Sequence, residues 1–442
     1  MAKNILYIFF TLLSSVCIAQ KQKKPTKPQV IVYGHEADAF SAAVQSAQSG
    51  VETYWIIDST AIGGPLITGG PKHIVANHLL DVGSWANFLK GIANVKEISD
   101  SAMFAAKRTL PPRIAQNVFE GIADTVNRLT LKKNLTILQI EKAGKGWQVT
   151  LSSKEKIKVK ALVDASKQRT LTTLIKKEVK YANRPLEGDT NKQVATLIDY
   201  QKPLYRTGVA VAQIKEDIFN IPLEYVLPDS TLSTVFATRP DNNLYHLYEN
   251  MEALPLLMLQ GQACGAAAAY CAFFNTSADK INVRTLQGEL LAFHGYLIPF
   301  QDITLQDANY APIQRVGATG IFQGRYGNKN GQIQFLFNPD SLVSSTEIEP
   351  ILKQIYTRSQ IWFKDKEISA LTLKDVLSLI KYVANRGDEL NTEIEKGWAK
   401  RFKFKGTYDL EAKLTRRQVA VLIDTYLQPF NVRITLNGDF QY

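Results

Sequence analysis

Gly34, Ala39 and Asp58 are the residues whose types and spacing first point to chemistry. Gly34 follows the β-branched run 29–33, Ala39 opens a small amphipathic stretch that stops at Gly50, and Asp58 ends a second apolar run, 51–57, 24 positions beyond Gly34. Strand, tight turn, helix, glycine stop and second strand read off in that order. In a Rossmann β-α-β unit a carboxylate at this spacing bonds a ribose 2′-hydroxyl, while the helix N-terminus receives a pyrophosphate. The fingerprint G-x-G-x-x-G/A is incomplete. Gly34 supplies the turn and Ala39 the close helix packing, but Glu36 stands where a second glycine would admit the phosphate, adding bulk and negative charge. Alone, the unit also reads as an ordinary β-α-β without a ligand.

The loop 62–71 that follows is dense in glycine, with Gly63, Gly64, Gly69 and Gly70. Here the sequence resembles the FAD-dependent oxidoreductase family of exported or polysaccharide-associated bacterial flavoproteins, some of them labelled xanthan-lyase-like. The family's first turn is similar to Tyr33-Gly34 with Ala37, and its loop I-G-G-x-x-T-x-G is matched by Ile62-Gly63-Gly64, with Thr68 and Gly69 displaced by one position. Residues 161–166, with Asp164 and Ala165, resemble the V-D-A-T-G strand end that returns to the flavin sheet. Residues 255–269, with Met258, Gly261, Gln262 and Gly265, resemble the M-x-x-G-Q-A-A-G helix that closes the FAD site. Residues 221–228 are similar to the substrate-side segment before that helix. The resemblance covers 28–300. It implies FAD, held by Gly34, Glu36, Ala37, Ala39, Asp58, Gly63, Gly64, Gly69, Asp164, Ala165, Met258, Gly261, Gln262 and Gly265.

The departures touch the same site. Lys167-Gln168 replace the family's Gly-Asp, the region 169–220 is short for a substrate-binding insertion, and 236–241 lack the glycine of A-G-R-x-I-S. The resemblance therefore leaves two readings. One is an oxidoreductase passing hydride from a small organic or carbohydrate-derived substrate to flavin N5. The other is a non-catalytic descendant of the flavoprotein fold serving as a binding or cell-envelope module.

These motifs require an α/β architecture: a Rossmann-type FAD/NAD(P)-binding domain in two segments, 29–175 and 225–300, with a reduced substrate-side segment, 176–224, between them. Residues 134–149 and 156–163 alternate apolar and polar side chains around Gly144-Lys145-Gly146, which predicts an antiparallel meander. The charged stretch 154–160 reads as a solvated strand edge. Residues 301–442 are mainly helical, with one helix ending at Gly320, another introduced by residues 337–340, and a second pair over 371–383 and 414–427. Their phrasing resembles S-layer-homology repeats, which implies contact with a cell-envelope glycan, although Arg417-Gln418 departs from the usual acidic residue. A helical cap on the flavin domain is the other reading, since an array needs several repeats to bury a continuous core.

The N-terminus resembles an export signal. Lys3 precedes the apolar run 5–13, and Cys17-Ile18-Ala19 places small side chains before Gln20, so residues 1–19 read as a signal peptide and 20–28 as a basic linker. The apolar run is shorter than the roughly 20 residues a membrane span needs. The chain is thus expected in the periplasm or outside the cell, with no membrane span once the signal is removed. Of the net charge of +11, five lysines lie in the signal and linker; without a dense basic tract the remainder reads as solvated surface rather than a nucleic-acid footprint. Cys264 and Cys271, seven apart in a helical run, lie roughly 10 Å apart along the axis, too far to bridge. His35, His73, His78, His246 and His294 show no metal-ligating spacing. His73, Tyr225 and His246 are candidate acid–base groups because their segments are expected near the flavin's substrate face; none has the spacing of a known catalytic motif.

Overall fold

The computed structural model describes residues 27–77, 79–97, 99–175, 198–227, 232–239, 250–329 and 331–442. The expected signal 1–19, most of the expected linker 20–28, His78, His246 and residues 176–197 of the expected substrate-side segment lie outside them.

Strand β1, Val30–Tyr33, is buried at every position, which is why its run is apolar without alternation. Beside it lie β2 (Thr53–Ile56), β3 (Leu129–Lys132), β7 (Ala161–Asp164) and β10 (Val235–Ala237). Among the described residues they form one parallel sheet in the order β10-β7-β1-β2-β3. The chain steps from β1 to β2 and β3 on one side, then returns to β7 and β10 on the other. The order therefore reverses between β1 and β7, and the crevice at their carboxyl ends is where such a sheet takes a ligand. This is a Rossmann-type α/β fold assembled from two sequence segments.

Helix α1, Ala37–Gln48, is small-residued and buried from Ala37 to Ala47 because the sheet covers one side and helix α6, Leu254–Phe274, the other. The seam is backbone-close: a Cβ on Gly261 would lie 2.2 Å from the Asp38 carbonyl oxygen, and one on Gly265 2.2 Å from that of Ala42. The segment Met251–Phe274 is long and apolar enough to cross a membrane by length and composition, yet 89% of its apolar window is buried inside the fold. It is apolar all round because it is a core helix. Cys264 and Cys271 on it are free thiols, as expected.

Helices α2 (Gly83–Ala93), α3 (Asp100–Arg108) and α4 (Pro112–Thr125) complete the layer beside α1, where Phe119 meets Phe40 and Phe88 at 4.8 and 4.5 Å. The opposite face of the sheet is covered by the antiparallel meander β4 (Ile137–Ala143), β5 (Gly146–Leu151) and β6 (Lys156–Val159). The expected strand 156–163 is two strands. It divides at Lys160, whose N–H donates to Gln29 at 2.8 Å and whose ammonium reaches the Ala272 carbonyl at 2.7 Å, so 161–164 joins the parallel sheet instead.

A short helix, α5 (Thr170–Leu174), leads away from β7, and the hairpin β8 (Gly208–Ile214) and β9 (Asp217–Pro222) packs on α6 beside α7 (Val283–Ala292). Beyond these come α8 (Tyr310–Thr319), the hairpin β11 (Arg325–Lys329) and β12 (Gln332–Leu336), and helices α9 (Ser345–Ile355), α10 (Thr357–Trp362), α11 (Leu373–Ala384), α12 (Glu389–Gly397) and α13 (Arg416–Tyr426). Gly320, at φ 87°, ends α8, and Thr372 with Asp375 and Thr415 with Gln418 form capping boxes that start α11 and α13. One apolar core runs without a break from α1 and α6 into these helices. The C-terminal region is therefore packed as a cap on the β8 and α7 side.

Candidate dinucleotide-binding site

Gly34, at the carboxyl end of β1, has φ 138°, and a Cβ there would sit 2.3 Å from the Ala165 carbonyl oxygen. Only glycine lets the turn pass the end of β7 so closely. Trp55 Nε1 donates to the Gly34 carbonyl at 2.7 Å, and the Ala165 N–H to that of Tyr33 at 2.8 Å, fixing both sides of the crevice. Tyr33, at the end of β1, is buried on the meander side of the sheet, and burial pushes its hydroxyl pKa up to about 12, with Asp58 and Asp164 adding to the rise.

Glu36 occupies the N-cap position of α1, but its side chain makes no capping bond. The first-turn N–H groups and the positive end of the helix dipole therefore face the switch point uncapped by a side chain, an arrangement that favours an anion. The glycine loop is tied across this turn by the Gly63 N–H donating to His35 at 2.8 Å. Gly63 and Gly64 have φ 122° and 52°, and a Cβ on Gly64 would lie 2.5 Å from Glu36 Cγ. The Glu36 side chain fills the gap that a second fingerprint glycine would leave open.

What holds Glu36 there is a cluster that the glycine pattern does not reveal. Arg239, two residues beyond β10, donates through Nη2 to Glu36 and, at 2.9 and 3.1 Å, through Nε and Nη2 to Asp38. Thr238 adds a 2.6 Å bond to Asp38, which is fully buried in the first turn of α1. Burial opposes the Arg239 charge, but Asp38 and then Glu36 outweigh it and hold the guanidinium above its ordinary pKa. The signal available in the sequence was Asp38 itself, a carboxylate amid Ala37, Ala39 and Phe40 on a helix otherwise built for burial; such a charge needs a cation.

Asp58 lies at the mouth of the crevice, paired at 2.9 Å with His35 Nδ1, both partly exposed. Asp164 is buried at the end of β7, where burial raises its pKa against the lowering effect of bonds from Ser166 and Thr172. Ala37 and Ala39 are buried, and Gly69, at φ 72°, lies in the exposed part of the glycine loop. Met258, Gly261, Gln262 and Gly265 are brought together differently. The Met258 carbonyl and Gln262 Oε1 accept from Ser84 at 3.1 and 3.0 Å, and Gln262 Nε2 donates to Gln45 at 2.9 Å, so these residues join α6 to α1 and α2. His73 Nδ1 is bonded to the Arg108 carbonyl at 3.0 Å, and Tyr225 is buried in the turn after β9. His246 lies outside the described residues. Among the described residues no metal-ligating group is assembled.

Comparison with known proteins gives one family match over part of the chain. Residues 29–246 match the family described as FAD dependent oxidoreductase. Among solved structures, this chain is similar to the bacillithiol disulfide reductase of Staphylococcus aureus, at 14% identity over 32% of this chain and 38% of that one, with a TM-score of 0.24. It is also similar to the thioredoxin reductase of T. acidophilum, at 16% identity, 32% and 35% coverage and a TM-score of 0.21. A third, the p-nitrophenol 4-monooxygenase of Pseudomonas putida, has 12% identity, 36% and 45% coverage and a TM-score of 0.26. The chain thus spans less than half the length of each. No curated protein matches it.

The family match supports FAD as the cofactor of this segment, and the residues present can be tested against it one by one. The α1 N-terminus without a side-chain cap, the Gly34 turn and Asp58 at the end of the second strand fit the adenosine diphosphate half. Arg239 lies where a guanidinium can face a diphosphate, and Glu36 competes with that diphosphate for it. The fit therefore holds with one internal rival, the Glu36 carboxylate.

Proposed function

We propose that the chain is an exported FAD-dependent oxidoreductase acting on a small organic or carbohydrate-derived substrate. The observation that carries the reading is the α1 N-terminus, without a side-chain cap at the switch point of the sheet, with Asp58 at ribose distance in the sequence. Bound FAD supplies a hydride acceptor at its flavin ring. The chain's own residues bind and orient it. The first-turn N–H groups of α1 and the Arg239 guanidinium hold the diphosphate, Asp58 with His35 holds the ribose, and the Gly63-Gly64 backbone closes over the turn. The seam of α1 with α6 keeps water from the floor of the crevice. The proton acceptor is left unassigned: the carbonyl bond at His73 Nδ1 leaves Nε2 available, and Tyr225 is buried. The C-terminal helices act as a cap, and any contact with an envelope glycan uses their outer surface.

One observation favours a second reading, a non-catalytic binding module: the Glu36 side chain fills the space beside Gly64 and is bonded to Arg239. The two part on the visible spectrum of the protein purified from Gln20 onward. Flavin absorption at equimolar FAD, with Asp58→Ala weakening FAD by about tenfold or more through loss of a charged hydrogen bond, supports the oxidoreductase. A colourless protein that takes up no added FAD overturns it and leaves the second reading.

A further inference from the structure

A separate site is written into the junction between the α6 and α7 layer and the C-terminal cap. Arg206 and Arg284 are both buried there, and among the described residues neither has a carboxylate partner. Arg206 donates to the carbonyls of Thr319 and Gly438 at 3.1 and 3.2 Å. Arg284 donates to the carbonyls of Arg206 and Ala318 and, at 2.8 Å, to Gln287, while its Nε finds no partner. The carbonyls of Ala318 and Thr319 end α8, so the helix supplies about half a negative charge against two full positive ones. Burial, reinforced by the like charge of Arg206, pushes the Arg284 pKa down to about 9.

Arg284 is not sealed in. It lines a cleft of about 690 Å³ together with Arg315, Arg401 and Arg433. Arg315 is neutralised by Asp424 at 2.6 Å and Arg401 shares Glu393 at 3.3 Å, but Arg433 is exposed and has no acidic partner among the described residues. Asn282 and Thr285, the N-cap and first-turn residues of the ten-residue helix α7, line the same cleft; the Asn282 side chain accepts from the Thr285 N–H at 3.2 Å, which leaves the rest of the first turn and the helix dipole to face it. The positive charge exceeds what the protein's own acids neutralise, and the volume exceeds a lone ion while falling in the small-ligand range. Guanidinium forks match phosphate oxygens in pairs.

We infer that this cleft binds a phosphate-bearing small molecule of about sugar-phosphate size, with Arg284 and Arg433 facing the phosphate and the α7 N-terminus supporting it. The site lies on the cap side, apart from the dinucleotide crevice, and does not depend on the flavin reading.

The test is calorimetric titration of the full mature chain with inorganic phosphate, glucose 1-phosphate and glucose at two salt concentrations. Both phosphates bind, more weakly at higher salt, and glucose does not. Tighter binding of glucose 1-phosphate than of phosphate assigns the rest of the cleft to the sugar, and equal binding assigns the site to the phosphate group alone. Arg433→Ala lowers affinity for both about tenfold, with FAD content and melting temperature unchanged. Should that variant fold poorly, Arg401→Ala, whose side chain is 56% exposed, gives a smaller loss in the same direction. Absence of phosphate binding by the natural chain, or unchanged affinity in both variants, overturns the inference.

Discussion

Replacing Glu36 by glutamine asks whether the crevice is built around a diphosphate that Glu36 opposes. Glutamine keeps the side-chain volume beside Gly64 and still accepts a hydrogen bond from Arg239, but removes the charge. A carboxylate about 5 Å from a phosphate charge, at an effective dielectric constant of about 20, opposes it by about 3 kcal/mol. Arg239 already offsets part of that repulsion, and the Glu36 side chain is 17% exposed, so roughly half should survive. The expected gain is about 1–2 kcal/mol, or about five- to thirtyfold tighter FAD. Arg239 stays anchored by its two bonds to Asp38, so the apo protein should lose only about 1 kcal/mol. FAD titration followed by flavin fluorescence, beside urea unfolding of the apo protein, measures both quantities. A folded Glu36→Gln protein with unchanged or weaker FAD affinity would refute the placement of the diphosphate at α1.

Two further predictions concern the scaffold. Gly261→Ala pushes a methyl group into the Asp38 carbonyl, so it should destabilise the protein by about 3 kcal/mol and weaken FAD through displacement of α1; a neutral result in urea unfolding would contradict the tight seam. Lys107→Met strands the buried Asp81, which Lys107 holds at 2.8 Å, and should cost about 3–5 kcal/mol at neutral pH. Burial raises the Asp81 pKa above 3.8 even with Lys107 opposing it, so Asp81 takes up a proton more readily in the folded chain than in the unfolded one. The stability this contributes is complete below that value and is lost as pH rises through the folded pKa. The Lys107→Met deficit should therefore shrink on acidification and largely vanish in Asp81→Asn/Lys107→Met, and a deficit independent of pH would sink the argument.

Features carried by local pattern were legible in the sequence. The β1, α1 and β2 unit, the turn at Gly34 and the helix starts at Thr372 and Thr415 follow from periodicity, glycine and capping residues within a few positions of one another. Features decided by distant partners were not. Arg239 meets Asp38 across 201 positions, and no spacing rule joins them. The alternation of 156–160 gives way to the apolar run 161–163 where the chain changes sheets at Lys160, because the second strand is buried on both faces. Gly261 and Gly265 announced a close approach, but only the fold identifies α1 as what approaches. The Arg108 carbonyl that fixes the His73 ring lies 35 positions away, and no local pattern announces it.

The seam of α1 with α6 also bears on the order in which the molecule can assemble. Across the seam Gln262 bonds Gln45, 217 positions away, and from the end of β10 Thr238 bonds Asp38, 200 positions away. Until Leu254–Phe274 has been synthesised, α1 has no partner for its outer face, and the first β-α-β unit cannot bury what it presents. Closing so long a loop is entropically unfavourable before any contact rewards it, and contacts of this range slow folding. The phosphate-facing end of α1 is thus shaped late, by a helix that arrives after half the chain, so a truncation before residue 254 should yield a collapsed chain without a formed crevice.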